Sequence, residues 1–166
     1  ASAAGIQPED IAEGLAAVKS ADKRLVLEAA LGPYSLIDDS YNSNPASAAA
    51  ALDTLAGLAG KRRRVALLGD MLELGKHSKK YHREMAKKII DSGIALAVLV
   101  GPESAATFEE LENSELLEAL HFGNVDELVV ALPMILKKND YILAKGSRGM
   151  RMDKAAEAIR RMAREG

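Results

Sequence analysis

The chain contains no cysteine, which removes disulfide frameworks and thiolate metal sites and suits a reducing compartment. No apolar run approaches the length of a membrane span, and no basic stretch followed by an apolar core opens the chain, so neither membrane insertion nor export is expected. Charge of one sign is not in excess either. The 22 lysines and arginines are interspersed with 24 aspartates and glutamates, which gives no reason to expect nucleic acid as a partner. Self-sufficient nucleotide motifs are missing as well. Gly57-Leu58-Ala59-Gly60-Lys61 faintly resembles a phosphate loop, but its glycines stand three apart where that loop needs five, and Arg62 replaces the required serine or threonine. No Gly-x-Gly-x-x-Gly follows a strand, and there is no Gly-x-Ser-x-Gly. These absences leave a soluble, cytoplasmic, monomeric domain as the expectation.

What is present is a length of 166 residues with 48% hydrophobic content, enough for one domain with a sizeable core. The chain begins Ala1-Ser2-Ala3-Ala4 without an initiator methionine, so a fragment of something longer is expected. Pro8 to about Val18 reads as a short helix with proline and acids at its positive end, too narrow in its apolar face to stand alone. The polar run Lys19 to Lys23 places a domain boundary there, with residues 1–20 a terminal remnant of a preceding domain and 21–166 a second unit.

From there the pattern is regular. Arg24–Leu31 and Tyr34–Asp38 flank the Gly32-Pro33 turn as a hairpin, and a helix follows from Pro45 to about Leu58, capped by Asn44. Arg64–Gly69, Ala95–Val100 and Tyr141–Ala144 are apolar on both faces, as central parallel strands should be, and Leu120–Phe122 reads as an edge strand. Helices are expected over Ser78–Asp91, with Tyr81, Met85, Ala86, Ile89 and Ile90 at helical spacing, and over Ser104–Leu111, Val125 to about Lys137, and Asp153 to about Ala163. Pro133 should kink or end the third of these. This alternation predicts an α/β fold: a doubly wound, Rossmann-like, mainly parallel sheet of about six strands with one antiparallel edge strand and helices on both faces.

In such sheets ligands sit at the carboxyl ends of the strands. Three loops there carry chemistry: Asp38 to Asn44, Gly69 to Gly75, and Lys145 to Arg148. Asp38 and Asp39 are balanced between helix capping and a ligand role, and the intervening Tyr41, Asn42 and Asn44 favour a site, because asparagine offers donor and acceptor together. Lys145 and Arg148 could hold an anion while Gly146 lets the backbone approach, and Asp70 could orient a cationic amine. His77 and His82 lie five apart, off one helix face, and read as surface residues; Lys61-Arg62-Arg63-Arg64 reads as a solvated helix end.

Asp38-Asp39-Ser40-Tyr41-Asn42-Ser43-Asn44-Pro45, then Leu68-Gly69-Asp70-Met71-Leu72-Glu73-Leu74-Gly75 with His82, then Lys145-Gly146-Ser147-Arg148, resemble in order and spacing the C-terminal portion of the Mur ligases. The branch they match joins D-alanyl-D-alanine to a UDP-N-acetylmuramoyl-tripeptide. The resemblance implies an acceptor-binding domain of an ATP- and Mg2+-dependent enzyme whose phosphate loop and magnesium ligands lie on a central domain absent here, so the isolated chain should be inactive. It assigns Arg24, Asp39, Tyr41, Asn42 and Asn44 to a nucleotide-facing surface, and Lys145, Ser147 and Arg148 to an acceptor or acyl-phosphate loop. Asp70 and Glu73 fall in the second motif without individual roles, and no residue is assigned to a metal. Residues Gly5 to Val18 look like the last helix of the central ATPase domain. The chain departs from the family at Asp22-Lys23-Arg24, where a glycine usually precedes the arginine. A sibling ligase adding a single amino acid, a folylpolyglutamate-type enzyme, and a free-standing nucleotide- or dinucleotide-binding module are the alternatives.

Overall fold

The computed structural model describes residues 25–165, so Arg24, the expected helix at Pro8–Val18 and the boundary at 19–23 lie outside the described residues. Six strands form one sheet in the order β1-β2-β6-β3-β4-β5, where β1 is Val26–Leu31, β2 Tyr34–Asp39, β3 Arg64–Gly69, β4 Leu96–Val100, β5 Glu118–Phe122 and β6 Tyr141–Lys145. β1 runs antiparallel to β2, and every other neighbouring pair is parallel. Antiparallel β1 needs only the Gly32-Pro33 turn to reach β2, whereas each parallel pair requires a crossover, and helices supply them.

Those helices are α1 (Pro45–Ala59), α2 (Ser78–Asp91), α3 (Ala105–Leu111), α4 (Val125–Ile135) and α5 (Asp153–Glu165). Because side chains alternate across a strand, the sheet divides the core in two. Ile37, Ala66, Leu68, Ala97, Leu99 and Leu143 pack with α1, α2 and α3 on one face, while Leu36, Val65, Leu67, Val98 and Ile142 pack with α4 and α5 on the other. Strands β3, β4 and β6 are thus sandwiched, which is why their sequences are apolar without alternation. α1 is rich in alanine where it meets the sheet, with Ala48 and Ala51 buried, and starts in a reciprocal cap: Asn44 Oδ1 accepts the Ser47 N–H while Ser47 Oγ accepts the Asn44 N–H. Pro133 sits in the last turn of α4, which ends two residues later at Ile135 and does not reach Lys137.

Two local expectations are corrected. The arginine run after α1 is not a solvated helix end. Arg62 donates to the Asn139 and Asp140 carbonyls and to Ser35 Oγ and lies over the Tyr141 ring; Arg63 binds the Ile135 carbonyl and Asp140; Arg64 binds the Gly60 and Gly93 carbonyls. Their guanidinium groups tie together loops at the amino ends of the strands, a role that five fixed donors suit and that local charge patterning does not disclose. On α2 the expected Met85, Ala86 and Ile89 are buried, but the first position of the stripe is His82 and not Tyr81, which is exposed.

Asp140 is fully buried, with Oδ2 accepting from Arg63 and from the Lys137 N–H. Burial pushes its carboxyl above the ordinary range, against the opposing pull of the Lys137 N–H and Arg63. In the mildly acidic window above the unfolded value the folded chain therefore holds a proton that the unfolded chain has lost. The stability due to this group is present at the acid end and falls as pH rises through that window. Comparing urea midpoints of the native chain and Asp140→Asn across that window should show the native chain losing ground as pH rises; a constant difference would remove Asp140 as the titrating group.

Candidate functional site

Chain direction sets where a ligand can bind. The connections leaving β2 and β3 pass to the α1–α2 face, whereas the connection leaving β6, which lies between them, passes to α5 on the opposite face. The carboxyl ends of β2, β6 and β3 are consequently the switch point of the sheet, where a ligand is expected in folds of this kind. The three chemically loaded loops of the sequence are the ones that meet there.

The centre of the meeting point is a buried ion pair. Lys145 ends β6 with its ammonium 2.5 Å from Asp39 Oδ2 and 2.9 Å from the Asn42 carbonyl, and only 1% of the residue is exposed. Asp39, at the end of β2, accepts the Leu25 N–H on its other oxygen at 3.1 Å. Lys145 therefore differs from its expected role as a cation presented to an anionic ligand, since its charge is neutralised inside the domain. Asp38, one residue earlier and on the other side of the strand, accepts from Ser40 at 2.5 Å and from Arg160 of α5 at 2.7 Å, with Arg160 also bound to Glu28. Burial pulls the Arg160 proton affinity down, but the hydrogen bonds and charges of Glu28 and Asp38 outweigh that and hold the guanidinium more firmly protonated than usual.

A second set of bonds joins the loops to one another. The Ser147 N–H donates to the Asp70 carbonyl at 3.1 Å; Ser147 Oγ accepts the Leu72 N–H at 2.8 Å and donates to the Ser43 carbonyl at 3.3 Å. One serine thus touches the loops after β2 and β3 from the loop after β6. The approach is close enough to exclude a side chain at position 146, where a Cβ would stand 2.6 Å from Met152 Cγ and 3.3 Å from Gly69 Cα. Asp70 is turned inward, its two oxygens accepting the Ser104 and Glu103 N–H groups at 2.7 and 3.1 Å at the start of α3. It holds backbone there in place of the expected amine.

The outer surface is formed by what remains. The Arg148 guanidinium is exposed and lies 5.1 Å from the centre of the half-buried Tyr41 ring. Asn42 and Asn44 are exposed beside it, although each also serves the backbone, Asn42 Oδ1 accepting the Ser43 N–H and Asn44 capping α1. Glu73 is exposed on a left-handed backbone turn (φ 64°). Beneath the loops, a cavity of about 20 Å³ lined by Ser43, Met71, His82, Ser104 and Thr107 has room for about one water, too little for a substrate. Such a surface, with one cation over an aromatic ring and flanking amides, suits an anionic or nucleotide ligand held partly by another body. Asp38, Asp39 and Asp70 are all engaged by protein donors, and no group of His, Asp or Glu among the described residues could hold a metal ion.

Sequence reasoning missed Arg160, and it read His82 as a surface residue although the motif resemblance includes it. Arg160 has a local partner in Glu157, but nothing local marks its bonds to Glu28 and Asp38, which lie more than a hundred positions earlier. His82 carried a usable signal: it precedes Met85 by three and Ala86 by four, on the buried face of α2.

Fold and loops together define a doubly wound α/β domain in which three polar loops are bonded to one another at the carboxyl ends of β2, β6 and β3. The chain belongs to the Mur ligase family, matching the model described as "Mur ligase, glutamate ligase domain" over residues 23–148. It is 34% identical over 156 residues to the UDP-N-acetylmuramoyl-tripeptide--D-alanyl-D-alanine ligase of Bacillus subtilis, an alignment covering 93% of this chain and 34% of that protein. A crystal structure of MurF from Acinetobacter baumannii superposes with a TM-score of 0.74 at 28% identity, covering 96% of this chain and 35% of the other. The MurF ligase of Thermotoga maritima in complex with ADP shares the fold, with a TM-score of 0.73 at 22% identity, over 91% of this chain and 33% of that one. The chain spans about a third of the length of these relatives.

Proposed function

We propose that the chain is the carboxyl-terminal domain of an ATP-dependent ligase that joins D-alanyl-D-alanine to a UDP-N-acetylmuramoyl-tripeptide in peptidoglycan precursor synthesis. The observation that carries the reading is the convergence of the three motif loops on the switch point of the sheet, in a chain whose relatives are named as that ligase. In this reading the tripeptide carboxylate is activated as an acyl phosphate and the dipeptide amine attacks it, releasing phosphate. ATP and Mg2+ would be held mainly by a domain preceding this one, and the whole enzyme would act in the cytoplasm as a monomer.

The contribution of the present residues is orientation and exclusion. A neutral amine has to be held in line with a crowded anionic centre, and fixed donors accomplish this with no reorganisation at the moment of reaction. Tyr41, Asn42 and Asn44 would face the nucleotide, and the loop of Ser147 and Arg148, with the Arg148 guanidinium over the Tyr41 ring, would border the acceptor and acyl phosphate. Closure of this domain over the acyl phosphate would keep out water, whose attack is the competing reaction.

The test uses the full-length enzyme and this chain side by side. Ligation of D-alanyl-D-alanine is expected only from the full-length enzyme, and Ser147→Ala in it should lower kcat/KM by about tenfold or more through the orphaned Leu72 N–H. Turnover by the isolated chain, or unchanged kinetics in the variant, would overturn the reading.

A further inference from the structure

His82 lies on α2, outside the three loops, with 2% of its surface exposed. Its Nε2 stands 3.1 Å from the Met71 backbone N, and its Nδ1 stands 2.9 Å from the Ser78 carbonyl, with the Ser78 hydroxyl, which can accept as well as donate, farther off at 3.3 Å; the tautomer is set by the two backbone partners. Both partners have fixed chemistry, since a backbone N–H can only donate and a carbonyl can only accept. The ring is therefore neutral, with its proton on Nδ1 and its lone pair on Nε2 directed at the loop. Met71 is followed at once by Leu72, whose N–H donates to Ser147 Oγ, and preceded by Asp70, whose carbonyl accepts the Ser147 N–H. A continuous set of bonds runs from α2 through residues 70–72 to Ser147 and on to the Ser43 carbonyl. The His82 backbone is itself fixed, its carbonyl accepting from Thr107 Oγ1 of α3 at 2.7 Å.

We infer that His82 is a positioning residue for the proposed acceptor surface: its Nε2 lone pair sets the backbone of Met71 and Leu72, and through them the Ser147 hydroxyl, without touching substrate. The inference rests on the functional reading above only for its kinetic consequence, and its structural half stands on the chain alone. The alternative is that His82 merely fills space under the loop. The two ideas part over which ring atom matters. A glutamine at this position places its amide oxygen near the histidine Nε2 and can accept the Met71 N–H. An asparagine is similarly polar but shorter, reaching the Ser78 carbonyl and leaving the Met71 N–H unpaired.

The experiment compares His82→Gln, His82→Asn and His82→Leu. In this chain, hydrogen exchange at the Met71 and Leu72 amides is read by NMR. Protection is expected to stay within about threefold of the native value in His82→Gln and to fall about tenfold or more in His82→Asn and His82→Leu. In the full-length ligase, KM for D-alanyl-D-alanine should rise about tenfold in His82→Asn with KM for ATP within about twofold, and His82→Gln should restore it. Equal exchange in the glutamine and asparagine variants would overturn the positioning role, as would equal rises of both KM values. Altered exchange accompanied by no D-alanyl-D-alanine ligation in the native full-length enzyme would uphold the bond network and overturn the functional reading instead. Should His82→Leu fail to fold, the contrast between glutamine and asparagine still decides the matter.

Discussion

Lys145→Met is expected to lower the unfolding free energy of this chain by about 3–5 kcal/mol, the usual consequence of stranding one member of a buried ion pair. Methionine nearly preserves the volume of the lysine stem, so the loss would be electrostatic. Asp39, whose side chain is 12% exposed, would lose its cation and retain the Leu25 N–H, and the Asn42 carbonyl would lose the lysine as donor. Replacing the carboxylate as well, in Lys145→Met/Asp39→Leu, should return about 1 kcal/mol or more relative to the sum of the single changes. Urea unfolding of the four proteins measures this directly, and strict additivity would show that the pair does not couple. The result also governs how activity data at Asp39 are read. Asp39→Ala in the full-length enzyme would disturb the packing of Lys145 as well as any nucleotide contact, so its activity has to be read beside a stability control.

Gly101→Ala is expected to be nearly as severe, at about 2–4 kcal/mol, by a different route. Gly101 follows β4 with φ at +110°, a conformation that side chains rarely adopt. A Cβ there would stand 2.5 Å from both Asp70 Oδ2 and Met150 Cε, so the strain would be compounded by collision with the carboxylate that anchors the start of α3. Gly57→Ala offers the opposite case. Gly57 lies in α1 with nothing within 4 Å of the added carbon, and alanine should stabilise the helix by about 0.5–1 kcal/mol. Thermal or urea unfolding of both variants would reveal the contrast. A Gly101→Ala protein as stable as the native chain would show that the turn after β4 relaxes readily.

Much of the architecture was legible because burial on both faces leaves an unmistakable mark. The apolar runs at Arg64–Gly69 and Tyr141–Ala144 were read to within a residue of their ends, and the hairpin followed from Gly32-Pro33. The three loops were legible for a related reason, since strand ends in a parallel sheet can be placed once the strands are known. What escaped was the direction of charged side chains within those loops. Lys145 and Asp70 are polar residues at the edge of apolar strands, and sequence alone does not say whether such a group turns outward or finds a partner inside. Their partners, Asp39 and the Ser104 N–H, are distant in the chain and become adjacent only through the sheet order. The arginines at 62–64 were misjudged on the same ground, and His82 because it is the one weakly polar residue in an otherwise apolar helical stripe.

The position of β6 bears on how the molecule is made. It is the last strand in the chain, yet it lies in the middle of the sheet, and β2 and β3 share no hydrogen bonds except through it. A nascent chain that has not yet emerged beyond Tyr141 holds two separate sheet fragments, β1–β2 and β3–β4–β5, each with an open edge facing the gap. Synthesis proceeds from the amino end at roughly 5–20 residues per second, so those edges wait several seconds for the segment that closes them. The same strand brings Lys145 to Asp39 and Ser147 to Leu72, so neither the buried ion pair nor the bridge between the loops after β6 and β3 can exist before β6 is in place.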